Sequence, residues 1–405
     1  MRKFSLTSPN PCDIIKTMTM AKSFLTHLSC PECGGEFDPD KIQTFCRDCA
    51  SPILAQYDLA GAAEVLTPEK ARLRPERMWR WAEVLPVKDP DFQITLGEGN
   101  TPLLELSRTG EELDRPYLYM KDESLNPTGS FKARGLMTAV SKAAELGIED
   151  LVMPSAGNAG GALAAYAARA GIKAHVYMPG SAPEANHTEV KITGADLVLV
   201  DGLMPETAAR AADDAQVNGW FSVSTFKEPY RVEGKKIMGY ELAEDFDGVL
   251  PDVIIYPTGG GTGLVGMWKA FNEMEEMGWI GSDRPRMISV QSAGCAPVVD
   301  AIANGRDRMR PWKDPHTIAP GIQVPLAFAD RLILAAVRES KGTAVAVSDQ
   351  EIMQAQDQLA QQEGLFVSPE SAATLAGLKS LIQNNQVGPT DKVVLFNTAS
   401  GLKYT

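Results

Sequence analysis

The chain is expected to be an α/β protein with parallel sheets, organised as two such domains behind a small cysteine-bearing ribbon. Three observations predict this. From Leu151 onward, short β-rich runs alternate with helical stretches, glycine-rich turns follow several of those runs, and two Cys-x-x-C pairs stand near the N-terminus. Alternation of this kind implies right-handed crossovers and a parallel sheet covered by helices on both faces.

In chain order, residues 1–22 form an unpatterned extension, expected to be disordered, in which Met18 or Met20 could serve as the start. A ribbon is placed at 23–58. Its four cysteines, Cys30, Cys33, Cys46 and Cys49, form two pairs separated by the twelve residues 34–45. This is the spacing at which two knuckles supply four thiolates to a structural zinc; pairs of reduced or disulfide-linked cysteines without metal are the rival reading. Cys12 and Cys295 stand outside the pattern. Tyr57 to Leu85 reads as a charged, helical connector.

The alternation then runs Leu151–Met153, helix to Gly171; His175–Met178, helix Pro183–Thr193; Leu197–Val200, helix Pro205–Asn218. It resumes with Val253–Tyr256, helix Leu264–Met277 and Met287–Gln291, and closes with Ala344–Val347, two helices and Lys392–Phe396. Two α/β domains are expected, a large one from 59–135 and 226–405 and a small one from 136–225. The Arg-, Pro- and Gly-rich loop Asn304 to Gln323 is long enough to cover a site.

With 405 residues, 44% hydrophobic and 22% charged, the chain can bury a substantial core. A net charge of −13 repels nucleic-acid backbones and anionic lipid. No apolar run approaches the roughly 20 residues of a membrane span, and no secretory signal is evident, so the cytoplasm is the expected compartment. His27, His175, His187 and His316 lack metal-ligand spacing, and Glu273, Glu275 and Glu276 read as a solvated helix face.

The sharpest functional signal is Lys132. Asn126, Pro127 and Gly129 punctuate a turn, Ser130 is placed to cap, and Phe131 to Leu146 has helical spacing with Leu136, Val140 and Ala143 on one side. A lysine in that first turn faces unpaired backbone N–H groups and the positive end of the helix dipole, which disfavour its ammonium form. A neutral amine is what Schiff-base attachment of an aldehyde cofactor requires, pyridoxal phosphate being the common example. Alone, a solvated lysine at a helix start is the commoner explanation.

Residues at strand exits supply the context, because ligands of open parallel sheets bind there. After Leu151–Met153, the small residues Ser155, Ala156 and Gly157 can bring backbone N–H groups to a substrate carboxylate, and the Asn158 amide can donate to a phenolate-like oxygen. After Val253–Tyr256, Gly259, Gly260, Gly261, Thr262 and Gly263 form a phosphate cradle at a helix start, matching neither a Walker loop nor the dinucleotide fingerprint. After Lys392–Phe396, Thr398 offers a hydroxyl that could bond a pyridine nitrogen without protonating it. Amine, amide, phosphate cradle and neutral hydroxyl are the four contacts that would hold pyridoxal phosphate.

These segments resemble the fold type II (tryptophan synthase β-like) pyridoxal-phosphate enzymes, and within them the threonine synthases. The likeness runs from the ribbon to the last residue and includes Thr95-Leu96-Gly97-Glu98-Gly99-Asn100-Thr101-Pro102-Leu103, Pro229-Tyr230-Arg231-Val232-Glu233-Gly234-Lys235-Lys236, Ser368-Pro369-Glu370-Ser371-Ala372-Ala373-Thr374 and Leu395 to Tyr404. It implies conversion of O-phospho-L-homoserine and water to L-threonine and phosphate. Lys132 would carry the cofactor and move protons, Gly259 to Gly263 would hold the cofactor phosphate, and Asn158 and Thr398 would orient the ring. Ser155, Ala156, Gly157 and Arg231 would bind substrate. A homodimer is also implied.

Two positions depart from that pattern. Ala159 stands where the family commonly has a threonine, and Gly260 where it has an asparagine, both donors to the substrate phosphate. Lys235, Lys236 or Arg310 could compensate. The glycine loop is also similar to that of the serine and threonine dehydratases, so β-elimination from threonine or serine is an alternative, as is β-replacement on another O-phosphorylated amino acid. An inactive protein that binds nucleic acid or protein through its ribbon is the alternative of a different class; Lys132, Thr398 and the acidic charge oppose it.

Overall fold

Among the residues described by the computed structural model, 22–74 and 77–405, the strands fall into three sheets. Except for Lys22, the extension expected over 1–22 lies outside the described residues, as does Cys12. The ribbon comes first: β1 (Leu25–Ser29) pairs antiparallel with both β2 (Glu36–Phe37) and β3 (Leu54–Tyr57). Next, β4 (Leu103–Glu105) and β5 (Leu118–Asp122) begin a six-stranded sheet. The chain leaves it to build a four-stranded sheet from β6 (Asp150–Pro154), β7 (Lys173–Pro179), β8 (Asp196–Val200) and β9 (Phe221–Ser222). It returns with β10 (Val253–Pro257), β11 (Arg286–Ser292), β12 (Thr343–Val347) and β13 (Val393–Asn397).

The small sheet has the order β8-β7-β6-β9 and is wholly parallel. The large one runs β12-β11-β10-β13-β5-β4 and is parallel except at β4. Strands β10 and β13, Val-Ile-Ile-Tyr-Pro and Val-Val-Leu-Phe-Asn, are buried at every position, as a sheet covered on both faces demands. Val393 lies opposite Leu118 on one side and Val253 on the other. That register brings the carboxyl ends of β5, β13 and β10 out level and side by side, so three distant stretches of sequence open onto one place.

The helix Lys132–Glu145 packs between the helices Asn158–Ala170 and Arg231–Asp245. Its close approach to the second depends on Gly234, where a Cβ would stand 2.1 Å from the Arg134 carbonyl oxygen. The one-sided apolar stripe expected there is replaced by burial all round, from Ala133 to Lys142 and Ala143. Beyond Lys132, its charged residues are paired: Arg134 with Glu123 and Glu241, Lys142 with Glu145.

Three further expectations are corrected. Ser130 does not cap the lysine helix: its hydroxyl is buried without a hydrogen-bond partner, and Phe131 occupies the cap position with no side-chain bond. Glu273 is not on a solvated face, although Glu275 and Glu276 are exposed; it is 6% exposed and bonds Lys236, Lys269 and the Tyr240 hydroxyl. Lys269 is on its own helix, but Lys236 and Tyr240 come from the neighbouring helix Arg231–Asp245, which periodicity within one helix cannot reveal. The connector is broken into Leu59–Val65, Pro68–Arg72 and a 3-10 segment Met78–Val84. No helix among the described residues is long and apolar enough to cross a membrane.

Candidate active site

Lys132 is the first residue of its helix, delivered by a loop that leaves β5 through two short 3-10 turns. In that loop Thr128 adopts φ +62, a left-handed conformation that a β-branched residue takes only when its surroundings impose it. The C-terminal segment imposes it. The Phe131 amide donates to the Thr398 carbonyl at 3.0 Å, the Ser400 amide to the Gly129 carbonyl at 3.0 Å, and Lys403 Nζ to the Thr128 carbonyl at 2.9 Å. Residues after β5 and after β13 are thereby laced together, and Lys132 and Thr398 become neighbours.

The Lys132 amine is pushed down to about 7 by burial first and by the Arg231 guanidinium second, with the Glu370 carboxylate opposing. Its Nζ stands 3.9 Å from the centroid of the Phe131 ring. That contact favours the ammonium form, so the lowering by burial and Arg231 prevails over it. Around neutral pH a large share of this amine is uncharged, the state a nucleophile needs.

The glycine loop arrives from β10. The Phe131 ring meets Tyr256 edge-on at 6.2 Å, and the Tyr256 hydroxyl lies against Gly263, 2.0 Å from where a Cβ would be. These contacts join the lysine residue to the loop through two aromatic rings, Phe131 and Tyr256. No acceptor among the described residues takes the amides of Gly259, Gly260 and Gly261. With Gly261 at φ +78 and the helix Thr262–Glu276 starting behind them, they form an electropositive cradle suited to a phosphate.

The remaining expected residues are distributed as follows. The Ser155 hydroxyl accepts from the Gly157 and Gly160 amides at 3.3 and 3.0 Å, shaping the turn, and the Ala156 carbonyl accepts from Asn186 at 3.0 Å. Asn158 Nδ2 donates to the Tyr404 hydroxyl at 3.1 Å, which ties the small sheet to the C-terminal segment. The Thr398 hydroxyl lies 3.4 Å from that of Ser371, which also accepts the Thr398 amide at 2.8 Å. Arg231 is 2% exposed, and its Nη1 donates to the Val223 carbonyl at 2.8 Å and the Thr225 hydroxyl at 3.4 Å.

Two of the three suggested compensating cations are used elsewhere. Lys235 Nζ donates to the carbonyls of Phe131 and Lys132, and Lys236 is paired with Glu233 and Glu273. Arg310 is exposed.

Sequence reasoning gave no role to Glu370, Ser371, Tyr404 and Thr225. Glu370 accepts the Gly321 amide at 2.6 Å, and Gly321 belongs to the long loop, whose carbonyl faces Gly259. The stretch Ser368 to Ser371 carried the only signal, since its punctuation opens a helix directly beside Thr398.

At the ribbon, the sulfurs of Cys30, Cys33, Cys46 and Cys49 lie within 4.8 Å of one another, with Cys30–Cys49 at 3.3 Å and Cys33–Cys46 at 3.6 Å. A tetrahedral zinc with Zn–S bonds of about 2.3 Å separates its sulfurs by about 3.8 Å, so this donor set fits that ion.

Comparison with known proteins agrees with the geometry. Residues 94–399 match the family model described as pyridoxal-phosphate dependent enzyme. The threonine synthase of Methanosarcina acetivorans is 35% identical over 379 residues, covering 93% of this chain and 92% of that protein. The threonine synthase of Methanocaldococcus jannaschii is 35% identical over 92% of both chains. Among solved structures, the processed form of threonine deaminase isoform 2 from Solanum lycopersicum superposes with a TM-score of 0.66 at 19% identity, covering 77% of this chain and 81% of that one, which establishes the shared fold. The chain belongs to the pyridoxal-phosphate dependent enzyme family and, within it, to the threonine synthases.

Proposed function

We propose that the protein converts O-phospho-L-homoserine and water to L-threonine and inorganic phosphate. The observation that carries this reading is the largely uncharged Lys132 amine, held beside Thr398 and the glycine loop in a chain so similar to threonine synthases. When bound, pyridoxal phosphate supplies the electron sink that makes the substrate Cα and Cβ protons removable. Lys132 would be the point of attachment, and its free amine would be the base that takes the Cα proton and returns protons later. The amides of Gly259 to Gly263 receive the cofactor phosphate. Thr398, backed by Ser371, presents a neutral hydroxyl to the ring nitrogen and leaves it largely unprotonated.

Ser155 to Asn158 orient the substrate carboxylate, and Arg231 faces its phosphate. Phosphate leaves from Cγ and the oxygen of water is added at Cβ. The closed, aromatic-lined surroundings of Lys132 restrict solvent until that addition. A structural zinc on the four cysteines, a homodimer, a cytoplasmic location and a division into a large domain (59–135 and 226–405) and a small one (136–225) complete the proposal. The cysteine geometry and family likeness support it.

One observation favours a second reading. Ala159 and Gly260 withhold two usual phosphate donors, which suits an enzyme that eliminates water from threonine. Product analysis separates the two. Phosphate and threonine formed from phosphohomoserine, and lost in Lys132→Ala, support the synthase; ammonia and 2-oxobutanoate formed from threonine instead would replace it.

A further inference from the structure

The last turn of the chain, Gly401–Tyr404, ends on a tyrosine that links the first residue of the helix Asn158–Ala170 to the carboxylate holding the long loop. Tyr404 is half-buried, and its hydroxyl lies among Asn158, Glu370 and Ser368. Asn158 Nδ2 donates to that hydroxyl at 3.1 Å, which occupies a lone pair of the oxygen and leaves its proton to be placed. Ser368 is engaged by Ser371, whose hydroxyl lies 2.7 Å away and whose amide donates to it at 3.3 Å. Glu370 has the capacity to take the proton. It is 4% exposed, its Oε1 accepts the Gly321 amide at 2.6 Å, and its Oε2 is buried with no hydrogen-bond partner among the described residues. Burial first and the Glu370 charge next hold the Tyr404 phenol well above its usual value, so it remains a donor. A buried carboxylate oxygen left unpaired is costly, and a phenol proton turned towards it removes that cost.

We infer that Glu370 and Tyr404 are positioning residues that act through Asn158: the line of Glu370 carboxylate, Tyr404 hydroxyl and Asn158 amide can run in one direction only, and so fixes which end of that amide faces the cofactor. The nitrogen and oxygen ends of an amide are nearly equal in size, and packing alone does not choose between them. An anion at the far end of the line does. Asn158 then turns its nitrogen towards Tyr404 and keeps its second N–H for the 3′-oxygen of the cofactor ring. Reversed, the amide would present its carbonyl oxygen to that electron-rich oxygen and repel it. The inference rests on the reading that Asn158 meets the ring 3′-oxygen.

The test dilutes holoenzyme and reads two quantities, the dissociation constant of pyridoxal phosphate and the position of its absorption band. Asn158→Ala is the reference and is expected to weaken cofactor binding about tenfold and to move the band. Tyr404→Phe deletes only the hydroxyl and should weaken binding about fivefold, with a band shift in the same direction. Glu370→Gln keeps an oxygen for the Gly321 amide but offers an N–H to Tyr404, which frees the line to reverse. It should reproduce the Tyr404→Phe band, whereas a carboxylate needed only to hold the loop would leave the band where it is. In the Tyr404→Phe, Asn158→Ala double variant the affinity should stay within about twofold of Asn158→Ala alone, because both changes act through one contact. A wild-type band in either Tyr404→Phe or Glu370→Gln, or losses for Tyr404→Phe and Asn158→Ala that multiply, overturns the inference while the reading of Asn158 stands. An Asn158→Ala protein with wild-type cofactor affinity and an unmoved band overturns that reading, and the inference falls with it.

Discussion

Two buried arginines a short distance apart are used in opposite ways. Arg134, fully buried, bonds Glu123 through Nε at 2.5 Å and Nη2 at 2.7 Å, Glu241 through Nη1 and Nη2 at 2.7 Å each, and Thr101 at 3.1 Å. Arg231, buried to nearly the same degree, has a backbone carbonyl, a long contact to Thr225 and an unbonded Nε. The first is a closed ion cluster that fixes the loop 98–102 to the lysine helix. The second holds unspent bonding capacity close enough to the Lys132 amine to lower it. Equal burial therefore conveys little about role, whereas the balance of donors against acceptors separates scaffold from site.

The comparison breaks most visibly on stability. Arg134→Met leaves Glu123 and Glu241 buried without their cation and is expected to cost about 3–5 kcal/mol in urea denaturation, whereas Arg231→Met should stay within about 1 kcal/mol of wild type. Equal losses would dissolve the distinction. On function the order reverses. Arg231→Met should raise KM for phosphohomoserine about a hundredfold in a folded protein, measured by phosphate release.

Protonation sharpens the contrast. Burial first and Arg231 second hold the Lys132 amine low, at about 7, so cofactor loading of the apo-protein should rise about tenfold from pH 6 to pH 8 and then level off. An ordinary lysine would keep accelerating towards its usual value near 10.5. In Arg231→Met one like-charged neighbour is gone, so the midpoint should move upward, as read by selective labelling of Lys132 across pH. The smallest effect is expected at the ribbon. Tyr57 donates to Glu233 at 2.9 Å, two residues from Arg231, so stripping metal with a chelator should lower Tm by a few degrees and leave KM nearly unchanged.

How much of this was readable in advance follows from the range of each contact. Lys132, the cysteine pairs and the glycine loop are punctuated by their own neighbours, and the alternation of elements announced the parallel sheets. Ser130 misled because a serine before a helix is a good cap by type, while here the loop is tied by backbone pairing to Ala399 and Ser400. Thr225, Ser371 and Tyr404 were silent because their partners, Gly260, Thr398 and Asn158, become neighbours only when β9, β10 and β13 are arranged in space. Glu273 was misjudged for the same reason.

Lys403 joins two otherwise separate parts of the molecule: its Nζ donates to the Thr128 carbonyl in the loop that delivers Lys132 and pairs with Glu189 on the helix Glu184–Ile192 beside the smaller sheet. The Asn158 to Tyr404 hydrogen bond is a second rivet between the same two parts. Whatever loosens this segment therefore slackens the lysine loop and the turn before the helix Asn158–Ala170 at the same time.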